Sequence, residues 1–424
     1  MTQYLAQIIS AANTGDVTAQ LQLADLYANG IGVATDTGQA CYWYRMAAVA
    51  GSAQAQNQLG EMYTRGVGVA ADQLQAVHWF QRAAVQDYPD AQANLGWCYQ
   101  QGEGVARDLC QAFNWYLRAA GLGHAGARYN LGYMYAHGHG TARDDAQALQ
   151  WYLKAARQGH ARAQLNAGVM YDSGVGVVRD PAVAAEWYMQ AARQGYVKAQ
   201  YNLALLFAGG SGVEQDDEQA CYWYRQAAEQ GYARAQFTLA LLYRNGLGVA
   251  QDLGAAIKWL QLAAAQNYAK AWYLLGRFYA DGSGVAIDRA ESARCYLRAA
   301  ELGYDKAQYR MGRLHEQGVG VATDPELAHE WYEKAARQGY AKAQYASGID
   351  YAKGRGITRD DVQAYAWLYI AGKNDPASHI LAALEKVTNR LSWAEQIRAK
   401  SLAFLWQDRY LLNVSLSEGL GARG

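Results

Sequence analysis

The stretch from Ala19 to Gly51, AQLQLADLYANGIGVATDTGQACYWYRMAAVAG, decides the fold. Ala19, Leu23 and Tyr27 fall at i, i+4 and i+8, on one face of a helix of about 13 residues. Ala24 beside Leu23 is small, which lets a neighbouring helix come close. Gly30 and Gly32 then interrupt the helix, because glycine adopts the positive φ that a C-cap and a tight turn require. Asp36 follows as an N-cap, its carboxylate accepting from amides left unpaired at a helix start. Ala40, Trp43, Tyr44, Ala47 and Ala48 form an apolar stripe along a second helix, and Gly51 ends it. The stretch reads as a two-helix hairpin with one apolar side.

That hairpin is repeated. Ala19 recurs as Ala55, Ala91, Ala127 and onward to Ala343, at a constant step of 36. Gly30, Gly32, Asp36 and Ala47 recur in all ten copies, and Trp43 in nine, with Cys295 taking the tenth place. Asp180-Pro181 and Asp324-Pro325 support the cap assignment, since proline suits the first helical position. Gly51 is replaced only by Asp87, Asn267 and Asp375. One hairpin cannot bury its Trp and Tyr alone, but stacked hairpins bury them between layers. The expected architecture is therefore all-α: a solenoid of ten 36-residue helix–turn–helix repeats over residues 16–376.

Residues 1–15 read as an N-terminal capping half-repeat, with Ala11, Ala12 and Gly15 in the slots of Ala47, Ala48 and Gly51. Residues 377–424 read as two capping helices, 377–388 and 392–407, and a short frayed tail from Ser415. Ser392-Trp-Ala-Glu395 has the capping-box pattern. A Trp187→Ala change is expected to cost ~3–5 kcal/mol, as a large-to-small core replacement.

Charge balances at 38 basic and 38 acidic residues, so no global excess points to nucleic acid or an anionic membrane. No apolar run approaches the ~20 residues needed to span a bilayer. The N-terminus lacks the basic and apolar regions of a secretory signal. Five cysteines with no regular spacing do not suggest a disulfide framework. The cytoplasm is the expected compartment, with the periplasm as the alternative if a leader has been removed.

Ala-Gln-x-x-Leu-Gly-x-x-Tyr-x-x-Gly-x-Gly-Val-x-x-Asp-x-x-x-Ala-x-x-Trp-Tyr-x-x-Ala-Ala-x-x-Gly, carried through residues 16–376, resembles the Sel-one-like repeat. That family is a relative of the tetratricopeptide repeat with a longer intra-hairpin loop. The resemblance implies a right-handed α/α superhelix whose first helices line a concave face. It also implies adaptor roles in signalling and quality-control assembly, envelope-associated complexes, and host or toxin interactions in bacteria. Some secreted bacterial members staple each repeat with a disulfide, and this chain lacks the paired cysteines to do so.

Little in the sequence points to chemistry. The Gly-x-Gly-Val turns lie between helices rather than after a strand, and no Gly-Lys-Ser/Thr follows them. N-capping accounts for the ten loop aspartates. His137-Gly-His139, with His124 and His160 at equivalent turns, is the one histidine cluster able to suggest a metal. His124 and His160 stand where other copies have tyrosine, so they read as packing residues. Ser, His and carboxylates are too scattered for a nucleophilic triad. No enzyme, catalytic residue, metal or cofactor is expected.

A partner is expected on the first helices. Positions 18, 21, 25 and 28 keep to one stripe opposite the apolar face. From copy five onward the first slot is basic: Arg162, Lys198, Arg234, Lys270, Lys306 and Lys342. The second supplies Tyr129, Tyr201, Phe237, Tyr273, Tyr309 and Tyr345, and the third Trp97, Tyr133, Arg277 and Arg313. Tyr, Trp and Arg dominate binding energy at protein interfaces. The competing account is that lysine stems merely cover the helix while their heads stay solvated. The function read from these residues is a bacterial, non-catalytic scaffold or adaptor. It would hold a partner protein or peptide, an acidic one by charge complementarity, with no nucleic acid and no membrane insertion. The alternatives are an immunity-type protein wrapping a secreted toxin or effector, and an envelope-associated or metal- or ligand-binding protein.

Overall fold

A computed structural model describes the backbone of residues 2–421 and the side chains of 3–408. Among the described residues there are 23 helices and no strand. The chain divides into two compact units, Met1–Gln215 and Asp216–Gly424. Copies one to five and the first helix of copy six lie in the first unit. The second helix of copy six and copies seven to ten lie in the second. Copy one pairs Val17–Asn29 with Thr37–Val49, and copy ten pairs Ala341–Lys353 with Asp361–Asn374. Thr2–Asn13 precedes copy one, and Ser378–Thr388 and Trp393–Gly421 follow copy ten. The last helix continues past Ser415, where a tail was expected, as far as Gly421. Residues 422–424 of that tail lie outside the described residues.

The helix ends follow from local chemistry. All ten aspartates of the Asp36 series cap their second helices, as Asp36 does by accepting from the Gln39 amide at 2.9 Å. The Asp36 amide in turn donates to the Tyr27 carbonyl at 3.0 Å, closing the loop onto the first helix. Ser392 and Glu395 satisfy each other's backbone amides, at 3.4 and 2.9 Å, so the capping box is formed.

The two loop glycines differ in purpose. The Gly30 series takes the left-handed C-cap conformation, with φ between 62° and 81°. The Gly32 series also has positive φ, but from Gly68 onward its members lie against the preceding copy. A Cβ on Gly68 would stand 2.0 Å from the Thr37 carbonyl oxygen, and one on Gly140 would stand 2.1 Å from that of Leu109. The second glycine is thus an inter-repeat contact as well as a turn.

The core corrects the expectation for tryptophan. Tyr188 is 1% exposed, whereas its neighbour Trp187 is only partly buried. The same order holds elsewhere, with Tyr116 and Tyr152 deeper than Trp115 and Trp151. The reason lies on the facing helix. The small residue after the repeated leucine receives the tyrosine ring, and a Cβ on Gly168 would meet Tyr188 at 2.6 Å. The tryptophans border this contact, some under a cation, as Lys154 sits 3.8 Å from the Trp151 ring centre. Tyr188→Ala should therefore lower stability by about 3–5 kcal/mol, and Trp187→Ala by about half as much. Urea unfolding of the two variants followed by circular dichroism checks the order, and a larger loss at Trp187 would reverse it.

A buried glutamine ladder joins successive copies. The glutamine after the repeated alanine donates to a carbonyl in the last turn of the preceding second helix. Gln56 reaches Ala48 at 3.0 Å and Gln164 reaches Ala156 at 3.1 Å. Its own oxygen accepts from an amide side chain 30 residues onward: Gln86 to Gln56 at 2.8 Å, Gln194 to Gln164 at 2.7 Å, Gln338 to Gln308 at 2.7 Å. In copy three the donor position holds Leu122, and the buried Gln92 oxygen has no partner. Leu122 is 50% exposed, so Leu122→Gln should gain about 0.5–1.5 kcal/mol by completing the rung. An unchanged urea midpoint would show that this oxygen has no unmet need.

Candidate partner-binding face

In the first unit Arg162 and Lys198 are exposed at the starts of their helices, with no ion pair among the described residues. Trp97 is 39% exposed, and Tyr129, Tyr133 and Tyr201 are half-buried. In the second unit Lys270, Arg277 and Lys306 are exposed, while Arg234, Phe237, Tyr273, Tyr309 and Arg313 are half-buried. Arg313 is committed to Glu316 at 3.5 Å.

The half-burial of the aromatic row has a structural cause that its spacing did not reveal. Four of the rings lean on the residue that caps the start of the next first helix. Tyr129 stacks on His160 with centroids 4.8 Å apart, Phe237 meets Tyr268 at 5.3 Å, Tyr273 meets Tyr304 at 5.2 Å, and Tyr309 meets Tyr340 at 5.3 Å. Three of these rings also meet the buried tyrosine of their own copy's second helix, Tyr129 with Tyr152 at 5.7 Å, Tyr273 with Tyr296 at 5.4 Å and Tyr309 with Tyr332 at 5.6 Å, so the row is tied into internal packing. The lysines have no such internal duty.

The turn histidines have a more definite task than packing. His124 and His160 are N-caps, their Nδ1 atoms accepting from the amides of Ala127 at 2.9 Å and Ala163 at 3.2 Å. An accepting nitrogen needs a neutral ring, and burial pushes both pKa values down, which keeps the rings neutral. His137 stacks on Tyr133 at 4.1 Å and lies 5.6 Å from His139, ring centre to ring centre. Among the described residues no three His, Cys, Asp or Glu side chains converge so as to hold a metal ion. Cys41, Cys98, Cys221 and Cys295 are free and buried, and Cys110 is free and exposed. Burial drives the Cys98 thiol up to about 11, away from the reactive thiolate form.

No described helix is long and apolar enough to cross a membrane. In each unit, stacked helical hairpins present a first-helix face that carries exposed cations and half-buried rings, the architecture of an α/α repeat protein. The chain belongs to the Sel1 repeat family: ten consecutive Sel1 repeats match, from residues 17–52 through 341–376. It is similar to a protective antigen of uropathogenic Escherichia coli with an SLR fold, 32% identical over 97% of this chain and 96% of that one, with a TM-score of 0.66. It is also similar to a Sel1 repeat protein from Oxalobacter formigenes, 34% identical over 57% of this chain and 96% of that one, with a TM-score of 0.51. An immunity protein from Pseudomonas aeruginosa is 22% identical over 50% of this chain and 81% of its own, and its TM-score of 0.33 is too low to bear on function. No curated protein matches the chain.

Proposed function

We propose that this protein is a non-catalytic scaffold that holds a partner protein or peptide against its first-helix faces. The observation that carries this reading is the set of exposed, unpaired cations at the starts of first helices, Arg162 and Lys198 in one unit and Lys270 and Lys306 in the other. Internal packing does not account for them, whereas it accounts for the tyrosines beside them. Opposite charge on a partner would be steered to such positions and held there. The test is affinity capture from the native host with the parent chain and with Lys198→Glu, Lys270→Glu and Lys306→Glu combined. The partner should be lost from the variant while helicity is unchanged. A partner recovered in equal yield would return these lysines to a solubilising role.

A second reading is that the protein acts at or beyond the cell envelope. The similarity to a protective antigen supports it, because such an antigen is one that the immune system reaches. Cell fractionation tests it, and recovery only with cytoplasmic markers would sink it.

A further inference from the structure

The second unit carries a trough along the first helices of its last two copies. A recess of about 460 Å³ lies between the first helix of copy nine, Asp305–Gln317, and that of copy ten, Ala341–Lys353. A second recess, of about 370 Å³, lies between Ala341–Lys353 and the helix Ser378–Thr388. Tyr345, Ile349 and Lys353, one ridge of Ala341–Lys353, border both, so the two recesses adjoin across that helix and together make the trough. A recess between the first helices of copies seven and eight is about 190 Å³, and one of about 480 Å³, lined by Val362, Leu402 and Trp406, lies between Asp361–Asn374 and Trp393–Gly421.

The charge in this trough is one-sided. Arg313, Lys342, Lys353, Arg355, Lys386 and Arg390 line it, against the carboxylates Glu316 and Asp350. Both carboxylates are occupied. Glu316 accepts from Tyr332 at 2.9 Å and pairs with Arg355 at 3.3 Å and Arg313 at 3.5 Å, and Asp350 faces His329 at 3.3 Å. Arg390 pairs with Asp361. That leaves Lys342, Lys353 and Lys386, all exposed and without a carboxylate partner among the described residues. Between them the floor is apolar, formed by Ile349, Ala352, Ala383 and Val387.

We propose that this trough docks an extended acidic peptide segment of a partner protein, with Ser378–Thr388 serving as a binding helix and not only as a cap. The inference rests on the reading of first-helix faces as the binding faces, and it adds the place and the chemistry. An extended strand projects alternate side chains to opposite sides. Carboxylates on one side reach Lys342, Lys353 and Lys386, while small apolar side chains on the other settle on Ile349 and Ala383. Nucleic acid fits less well. Tyr309 leans on Tyr332 and Tyr340, and Tyr345 lies edge-on to His379 at 5.0 Å, so these rings are already engaged in internal contacts.

The test uses the full chain and a fluorescein-labelled peptide of alternating Glu and Ala, read by anisotropy at low ionic strength. Saturable binding is expected, weakening as salt is added. Lys353→Glu with Lys386→Glu should reduce affinity about tenfold or more, a loss of roughly 1.4 kcal/mol or greater. Arg193→Glu with Lys258→Glu, exposed on second helices, should change it less than about twofold, within the small range for removing remote exposed charges. Equal loss from both pairs, or binding that neither pair affects, would overturn the trough, while the broader face stands or falls on the capture experiment. No binding of the peptide at all would overturn the trough as well. Tighter binding of a single-stranded oligonucleotide, competed by the same trough variants, would replace the peptide with nucleic acid.

Discussion

His329→Ile should destabilise the second unit by about 3–5 kcal/mol at neutral pH, and adding Asp350→Leu to the same chain should restore most or all of that loss. His329 and Asp350 are the polar exceptions at two core positions. In other copies the first position holds residues such as Val77, Leu149, Cys221 and Ile257, and the second holds Met62, Met134, Leu206 and Leu314. The two exceptions meet, Nδ1 to Oδ2 at 3.3 Å, at 3% and 6% residue exposure. Removing the histidine leaves a buried carboxylate without its partner, while replacing both recreates the apolar contact used elsewhere.

The sign with pH follows from the carboxyl. Burial pushes the Asp350 pKa up, and the hydrogen bond from His329 pulls it partly back. A raised folded pKa means that this group favours the folded state below the ordinary carboxyl range and loses that contribution as pH rises through the raised value. Without His329 the rise is larger. The deficit of His329→Ile relative to the parent should therefore shrink as pH is lowered from neutral toward about 4. Urea unfolding by circular dichroism at both pH values provides the measurement. Equal destabilisation in the single and double variants would show that the two side chains are not coupled.

The second large effect concerns two glycines in one turn. Gly248→Ala should cost about 3–5 kcal/mol, and Gly246→Ala about 1–2 kcal/mol. Both have positive φ, 64° and 69°, so both alanines bear a similar backbone penalty. Their surroundings differ. A Cβ on Gly246 comes no closer than 3.4 Å to Gln251, ordinary contact. One on Gly248 would stand 1.9 Å from the Asp217 carbonyl oxygen and 2.3 Å from its carbon. Backbone at a helix start cannot rotate away as a side chain would, so copies six and seven must separate locally. Comparison of the two urea midpoints isolates the steric part. If Gly246→Ala proves as costly as Gly248→Ala, the close approach is not what the second glycine serves.

Much of the fold was legible in short windows of sequence. The aspartate caps, the left-handed glycines and the apolar period each act within a few residues, and ten repetitions made them unmistakable. The candidate face was legible in part. The spacing correctly put lysines on exposed helix starts, but it could not show that the tyrosines also serve as links between copies. Nor could it rank Trp187 against Tyr188. Neighbours on a helix are about 100° apart, and both lie within one broad apolar stripe. Only the glycine on the facing helix shows which ring goes deepest.

What depends on a residue and its immediate neighbours could be read in order along the chain: where helices begin, where they stop, and that the unit recurs. The Gln164–Gln194 rung, the His329–Asp350 pair and the close approach of Gly248 to Asp217 join residues 21 to 31 positions apart along the chain. Their partners are set by how one hairpin rests on the next. A short window cannot contain that information, because hydrogen bonds and steric contact depend on distance in space and not on separation along the chain.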